Sequence, residues 1–127
     1  KTIEMRKELT DEWQRSGVKQ GKEYAILTNE ISQAWSGMTT KEYKNFKGLK
    51  KENLRDNMSN LELVLNMLAE VSTTEISRGS NPQGFEESKK VARQGGNVAR
   101  NAREEIEKQS GKSAITSKTA KDSDQIE

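Results

Sequence analysis

An all-α fold of about five helices is predicted by three observations. Apolar residues recur at helical spacing in successive segments, two capping boxes mark helix starts, and glycine and proline punctuate the segments between them. Ile3, Met5, Leu9 and Trp13 repeat at near-helical spacing before Gly17, which predicts a first helix over about 3–16 with a charged opposite side. After the GVKQGK turn, Tyr24, Leu27, Ile31 and either Ala34 or Trp35 continue the pattern up to Gly37, so a second helix folds back on the first.

Thr39 followed by Glu42 is a capping box, in which hydroxyl and carboxylate satisfy backbone donors at a helix start, and Gly48 suits the stop. A short helix over 40–47 follows. Ser59 and Glu62 repeat the box, and Leu61, Val64, Leu65, Leu68, Val71 and Ile76 then fall at helical spacing, with Leu63 and Met67 widening the apolar surface. This helix is expected to be central and to end at the RGSNPQG run, which holds the only proline, Pro82.

From Phe85 to about Gln109 a long polar helix is expected, with the near-repeat VARQGGN and VARNARE at 91–104. Val91, Gly95, Val98, Ala102 and Ile106 fall within about 80° of one another at 100° per residue, a seam of small side chains that lets another helix approach closely. The adjacent Gly95 and Gly96 cost about 1 kcal/mol each against alanine, so the helix bends there or orders only when packed. Residues 113–127 carry little apolar content and read either as a frayed tail or as a short docked segment after a domain over 1–112.

Composition bounds the chemistry. Of 127 residues, 30% are hydrophobic and 33% charged, and the mean hydropathy of −1.03 implies a thin core, so the helices are expected to share an interface within the chain or with a second copy. Cysteine and histidine are both absent, which removes thiol nucleophiles, nitrogen- or sulfur-ligated zinc and the usual general base. Glu52 with Asp56 and Glu8 with Glu12 stand at i, i+4 but have no histidine beside them, and no phosphate-binding glycine loop occurs. The expectation is a protein that is not an enzyme and uses no metal, cofactor or small-molecule substrate. No apolar run reaches a membrane span and no signal peptide is evident, so a soluble, cytoplasmic protein without a membrane partner is expected.

Two basic features remain. Between 41 and 51, Lys41, Lys44, Lys47, Lys50 and Lys51 stand against one carboxylate, Glu42, with Tyr43, Phe46 and Leu49 among them. Spaced cations neutralise phosphates while aromatic rings stack on unpaired bases, so the block suits a polyanion. The bland reading is a solvated lysine face whose aromatics hold the short helix to the core. On the long helix Lys89, Arg93, Arg100 and Arg103 form a second stripe, which Glu104 and its neighbours can equally neutralise by i, i+4 pairing. With a net charge of only +2, any nucleic-acid contact is expected to be local and salt-sensitive.

The runs GMTTKEYKNFKGLKKENLRDNMSNLELVLNMLAEV and NPQGFEESKKVARQGGNVARNAREEIEKQSGK resemble the carboxy-terminal helical region of the DNA-damage-inducible protein D family, related to phage antirepressor-like proteins of the BRO type. The resemblance covers about 5–112 and rests on KGLKK, DNMSNLEL and KKVAR. It implies a role in the bacterial DNA-damage response and a preceding BRO-type domain usually taken as DNA-binding. It supplies no catalytic residues, and Lys47 to Lys51 carry over as matching positions only.

The expectation is therefore a helical module that contacts DNA or a DNA-bound protein through Lys41, Lys44, Lys47, Lys50, Lys51, Arg93, Arg100 and Arg103. The alternative is a homodimer built on Leu61, Leu65, Leu68 and the Val91–Ile106 seam, with DNA left to the missing domain.

Overall fold

A computed structural model describes residues 2–122, with the side chains of Thr2 and Ile3 excepted; the expectations for Ile3 and for 123–127 lie outside the described residues. Five α-helices and no strand occur among them: α1 Thr2–Arg15, α2 Lys22–Ser36, α3 Thr40–Phe46, α4 Asn60–Ser80 and α5 Gly84–Ser110. On α1 the pair Leu9 and Trp13 is buried, and on α2 the i, i+4, i+8 set Leu27, Ile31 and Trp35. Trp13 meets Tyr24 edge-on with ring centroids 5.2 Å apart, which locks the α1–α2 hairpin together.

Both predicted capping boxes are present. The Thr39 hydroxyl accepts from Glu42 N–H and the Glu42 carboxylate from Thr39 N–H, while Ser59 and Glu62 repeat the exchange at the start of α4. Gly48 follows α3 with φ of 72°, a conformation that favours glycine. One boundary differs from expectation. Arg78, Gly79 and Ser80 stay helical because Asn81 takes the left-handed conformation and its N–H closes the last turn on Ser77 C=O. Only Asn81–Gln83 then separate α4 from α5, so the two helices form a tight hairpin, fastened to the α1–α2 turn where Gly84 N–H donates to Ser16 C=O at 2.6 Å.

Helix α5 runs unbroken across its two glycines and packs on both α4 and α2. The reason is steric. A Cβ on Gly95 would lie within 2.6 Å of the backbone of Thr73 on α4, and one on Gly96 within 2.8 Å of the Ile31 carbonyl on α2. Two residues set 100° apart on one helix thus admit two different neighbours. The seam residues Val91 and Gly95 are therefore committed inside the chain, as are Leu65 and, in part, Leu61, Leu68 and Ala102; Val98 and Ile106 remain exposed.

Residues 113–122 are docked. Ala114 and Ile115 are buried with the core, and the Ala120 N–H donates to the Asn57 side chain at 2.9 Å.

Candidate functional site

The basic block at 41–51 divides in two. Lys41, Lys50 and Lys51 are exposed and Lys44 half-buried, and Lys41, Lys44 and Lys50 border one shallow depression with Asn45 and Leu49. None of these four lysines forms an ion pair among the described residues. Lys47 is a correction: its side chain is fully buried, so it belongs to no outward lysine surface. The aromatics divide likewise, since Tyr43 is fully buried and Phe46 is 48% exposed.

What buries Lys47 is a polar knot. Its ammonium donates to Glu62 Oε1 at 2.9 Å and to the carbonyls of Thr116 and Lys118 at 2.6 and 2.7 Å, which uses all three N–H bonds. The Glu62 carboxylate, itself fully buried, also accepts from the Tyr43 hydroxyl, from Ser59 N–H at 2.9 Å and from Thr116 N–H at 3.4 Å. Burial, with the Glu62 carboxylate beside it, raises the Tyr43 hydroxyl far above the usual tyrosine range. Every member of the knot is satisfied, and through it the start of α4 grips the tail.

The arginine stripe is not free. Arg93 pairs with Glu30 of α2 at 2.8 Å, Arg100 with Glu104 at 3.3 Å, and Arg103 with Glu107 at 3.1 Å while also donating to the Trp35 carbonyl. The i, i+4 partners anticipated from the sequence therefore take up two of the three arginines. Their charge is neutralised where it stands.

Three of the four carboxylates considered as ligand candidates, Glu8, Glu12 and Glu52, are also occupied. Glu8 pairs with Arg78, Glu52 accepts from the backbone N–H groups of Lys50 and Lys51, and Glu12 accepts from Arg15 and from the Ser77 hydroxyl at 2.7 Å. The Arg15 hydrogen bond holds the Glu12 carboxyl below its ordinary value against the opposing effect of burial, and Ser77 adds to it. For Glu107 burial acts upward, but the Ala114 N–H and Arg103 outweigh it and the carboxyl is lowered. Groups lowered on folding stabilise the fold fully above their unfolded pKa and lose that contribution as pH falls through the folded value. Melting temperature is accordingly expected to drop as pH falls below the ordinary glutamate value of 4.5. Glu12→Gln and Glu107→Gln should each make the drop shallower, and a profile unchanged in both variants would contradict the assignment.

Sequence reasoning missed a second cluster. Glu70 of α4, only 3% exposed, accepts from Arg6 Nη1 at 3.4 Å and from Arg55 through one oxygen, Oε2. Its Oε1 is buried without a partner. A signal existed for Glu62 alone: on a helix whose buried face runs through Leu65, Ala69 and Thr73 it falls on that same face, whereas Glu70 stands about 100° from the centre of it.

The fold and site define a class: an all-α module with a polar, ion-paired interior and an unpaired lysine surface. The chain belongs to the DinD C-terminal domain family, whose model matches residues 1–123, in agreement with the expected DNA-damage-inducible protein D relationship. The match passes 112 and takes in the docked segment. No curated protein and no solved structure matches the chain. Among the described residues no helix is long and apolar enough to cross a membrane.

Proposed function

We propose that this domain is a non-enzymatic binding module of a DNA-damage-inducible protein, contacting DNA through the lysines around Gly48. The observation that carries the reading is the contrast in pairing: Lys41, Lys44, Lys50 and Lys51 have no carboxylate partner among the described residues, whereas Arg93, Arg100 and Arg103 each have one. Unpaired cations release counterions on meeting phosphates at no cost in broken ion pairs. Lys118 and Lys121 of the docked segment are exposed as well.

The test is binding to labelled duplex DNA across a salt series. Lys41, Lys50 and Lys51 all changed to glutamate should lower affinity about tenfold or more near 0.1 M salt and reduce the salt slope by up to about 3. Arg93→Ala and Arg100→Ala should change it little. An unchanged slope in the triple variant would overturn the reading and direct the search to a DNA-bound protein as partner. Self-association is the second reading, favoured by Val64 at 58% exposed on α4 and Val98 at 42% on α5, and light scattering separates the two.

A further inference from the structure

We propose that the segment after α5, residues 113–122, docks into a second copy of this chain as well as into its own, so that two domains exchange the segment and form a dimer. The proposal is independent of the lysine surface and of the exposed Val64 and Val98, and it gives self-association a contact of its own.

The first observation is how the segment is held. The groove between α3, the start of α4 and the end of α5 grips main chain at every second residue. Glu107 accepts from Ala114 N–H at 2.9 Å and Glu62 from Thr116 N–H at 3.4 Å. Lys47 donates to the Thr116 and Lys118 carbonyls at 2.6 and 2.7 Å, and Asn57 accepts from Ala120 N–H at 2.9 Å. In all of these bonds the side chain belongs to the groove and the backbone to the segment. Among the described residues the side-chain hydrogen bonds of the segment stay inside it, as between Ser113 and Ile115 and between Thr119 and Asp122. Only Ala114 and Ile115 contribute buried side chains. The segment is thus a separable unit, set in register by its backbone and anchored at one apolar point.

The second observation is that the groove is costly to leave empty. Two of the three Lys47 N–H bonds go to the segment, and the side chains of Lys47 and Glu62 are fully buried, so undocking leaves enclosed donors unmet. A segment that leaves must be replaced. The segment of a second copy brings every one of these groups in the same register, the Ala114 and Ile115 anchor included.

The third is the hinge. Gly111, exposed and with φ of 73°, turns the chain at the end of α5 so that the segment reaches its own groove. In the right-handed helical conformation the same residue would prolong α5 and carry the segment away. Exchange through such a hinge restores each contact that closure makes, which is why swapping an identical element is a low-cost route to a dimer. Closure within one chain benefits from an effective concentration of about millimolar order, so the dimer emerges as protein concentration nears that range or when the hinge is biased.

Sedimentation velocity on the whole chain, over a concentration series up to about 1 mM, tests this. The parent is expected to be monomeric when dilute and to form dimer toward the upper end. Gly111→Ala places a Cβ on a residue held at positive φ, which strains the closed hinge. It should tighten dimerisation about tenfold to a hundredfold, because both hinges of the dimer are relieved. A short glycine-serine insertion after position 111 of that variant lets the segment turn back into its own groove and should restore the monomer. Ile115→Asp in the same background removes the anchor and should abolish the dimer, whereas Val64→Glu should leave it unchanged.

A Gly111→Ala chain that stays monomeric up to about 1 mM overturns the proposal, as does a dimer that survives the insertion or Ile115→Asp. A dimer lost in Val64→Glu and indifferent to Gly111→Ala places the contact on the outer face of α4 and overturns it as well. None of these variants alters Lys41, Lys50 or Lys51, so duplex binding and its salt slope stand or fail separately.

Discussion

Replacing Lys47 with methionine is expected to destabilise the domain by about 3 to 5 kcal/mol, because it leaves the Glu62 carboxylate buried without its cation. Methionine matches the aliphatic stem, so the loss is electrostatic and polar and not a matter of cavity volume. The Thr116 and Lys118 carbonyls lose their donor at the same time. Against a total stability of about 5 to 15 kcal/mol for a typical domain, this is a large share. Urea unfolding should report it, and amide exchange at Thr116 and Ala120 should quicken as 113–122 detaches. Lys50→Met, on the exposed side of Gly48, should stay within about 0.5 kcal/mol of the parent. Adding Glu62→Gln to Lys47→Met should recover part of the loss, since a neutral amide can still accept from Ser59 N–H without a buried net charge. If Lys47→Met proves as mild as Lys50→Met, the knot does not hold the tail.

The same residue shows where sequence reading reached and where it stopped. Both capping boxes were legible because their partners lie three residues apart and the geometry is local. The α2 core was legible because burial follows the 3.6-residue period, but on α4 only Leu65 of the expected apolar set is fully buried: Val64 is exposed, and the buried face runs on through the small and polar Ala69, Thr73, Thr74 and Ser77. Lys47 was misplaced as a surface cation because its partners are Glu62 and the carbonyls of Thr116 and Lys118, 15, 69 and 71 residues away. Yet one local signal pointed inward: Lys47 stands four residues after Tyr43, on the same helical face, so burial of the tyrosine carries the lysine with it. The docked tail gave less, since Ala114 and Ile115 are too short an apolar stretch to distinguish docking from fraying. The partners of Glu70 were not legible, because Arg6 and Arg55 come from separate segments that only packing brings to α4.

Gly95→Ala is expected to destabilise by about 2 kcal/mol or more, against the sign that helix propensity predicts. In a helix interior alanine is favoured over glycine by about 1 kcal/mol, so propensity taken alone makes the substitution stabilising. The new Cβ, however, falls within 2.6 Å of both N and Cα of Thr73 and closer still to its hydroxyl. Backbone atoms of α4 cannot rotate aside as a side-chain end can. Relief therefore requires the α4–α5 pair to separate, and overpacking of a tight core costs about 1 to 3 kcal/mol, occasionally more. Thr73→Ala in the Gly95→Ala background should restore only part of the loss, because it removes the hydroxyl but leaves N and Cα in place. Gly96→Ala should behave similarly through Ala34 and the Ile31 carbonyl on α2. Gly79 supplies the control: it lies inside α4 with no atom within 4 Å of an added Cβ, so Gly79→Ala should stabilise by up to about 1 kcal/mol. Denaturant midpoints for the four variants test the point directly. Stabilisation by Gly95→Ala and Gly79→Ala alike would mean that α5 does not lie as close to α4 as its two glycines permit, and the explanation of the glycine pair as the meeting point of three helices would fall with it.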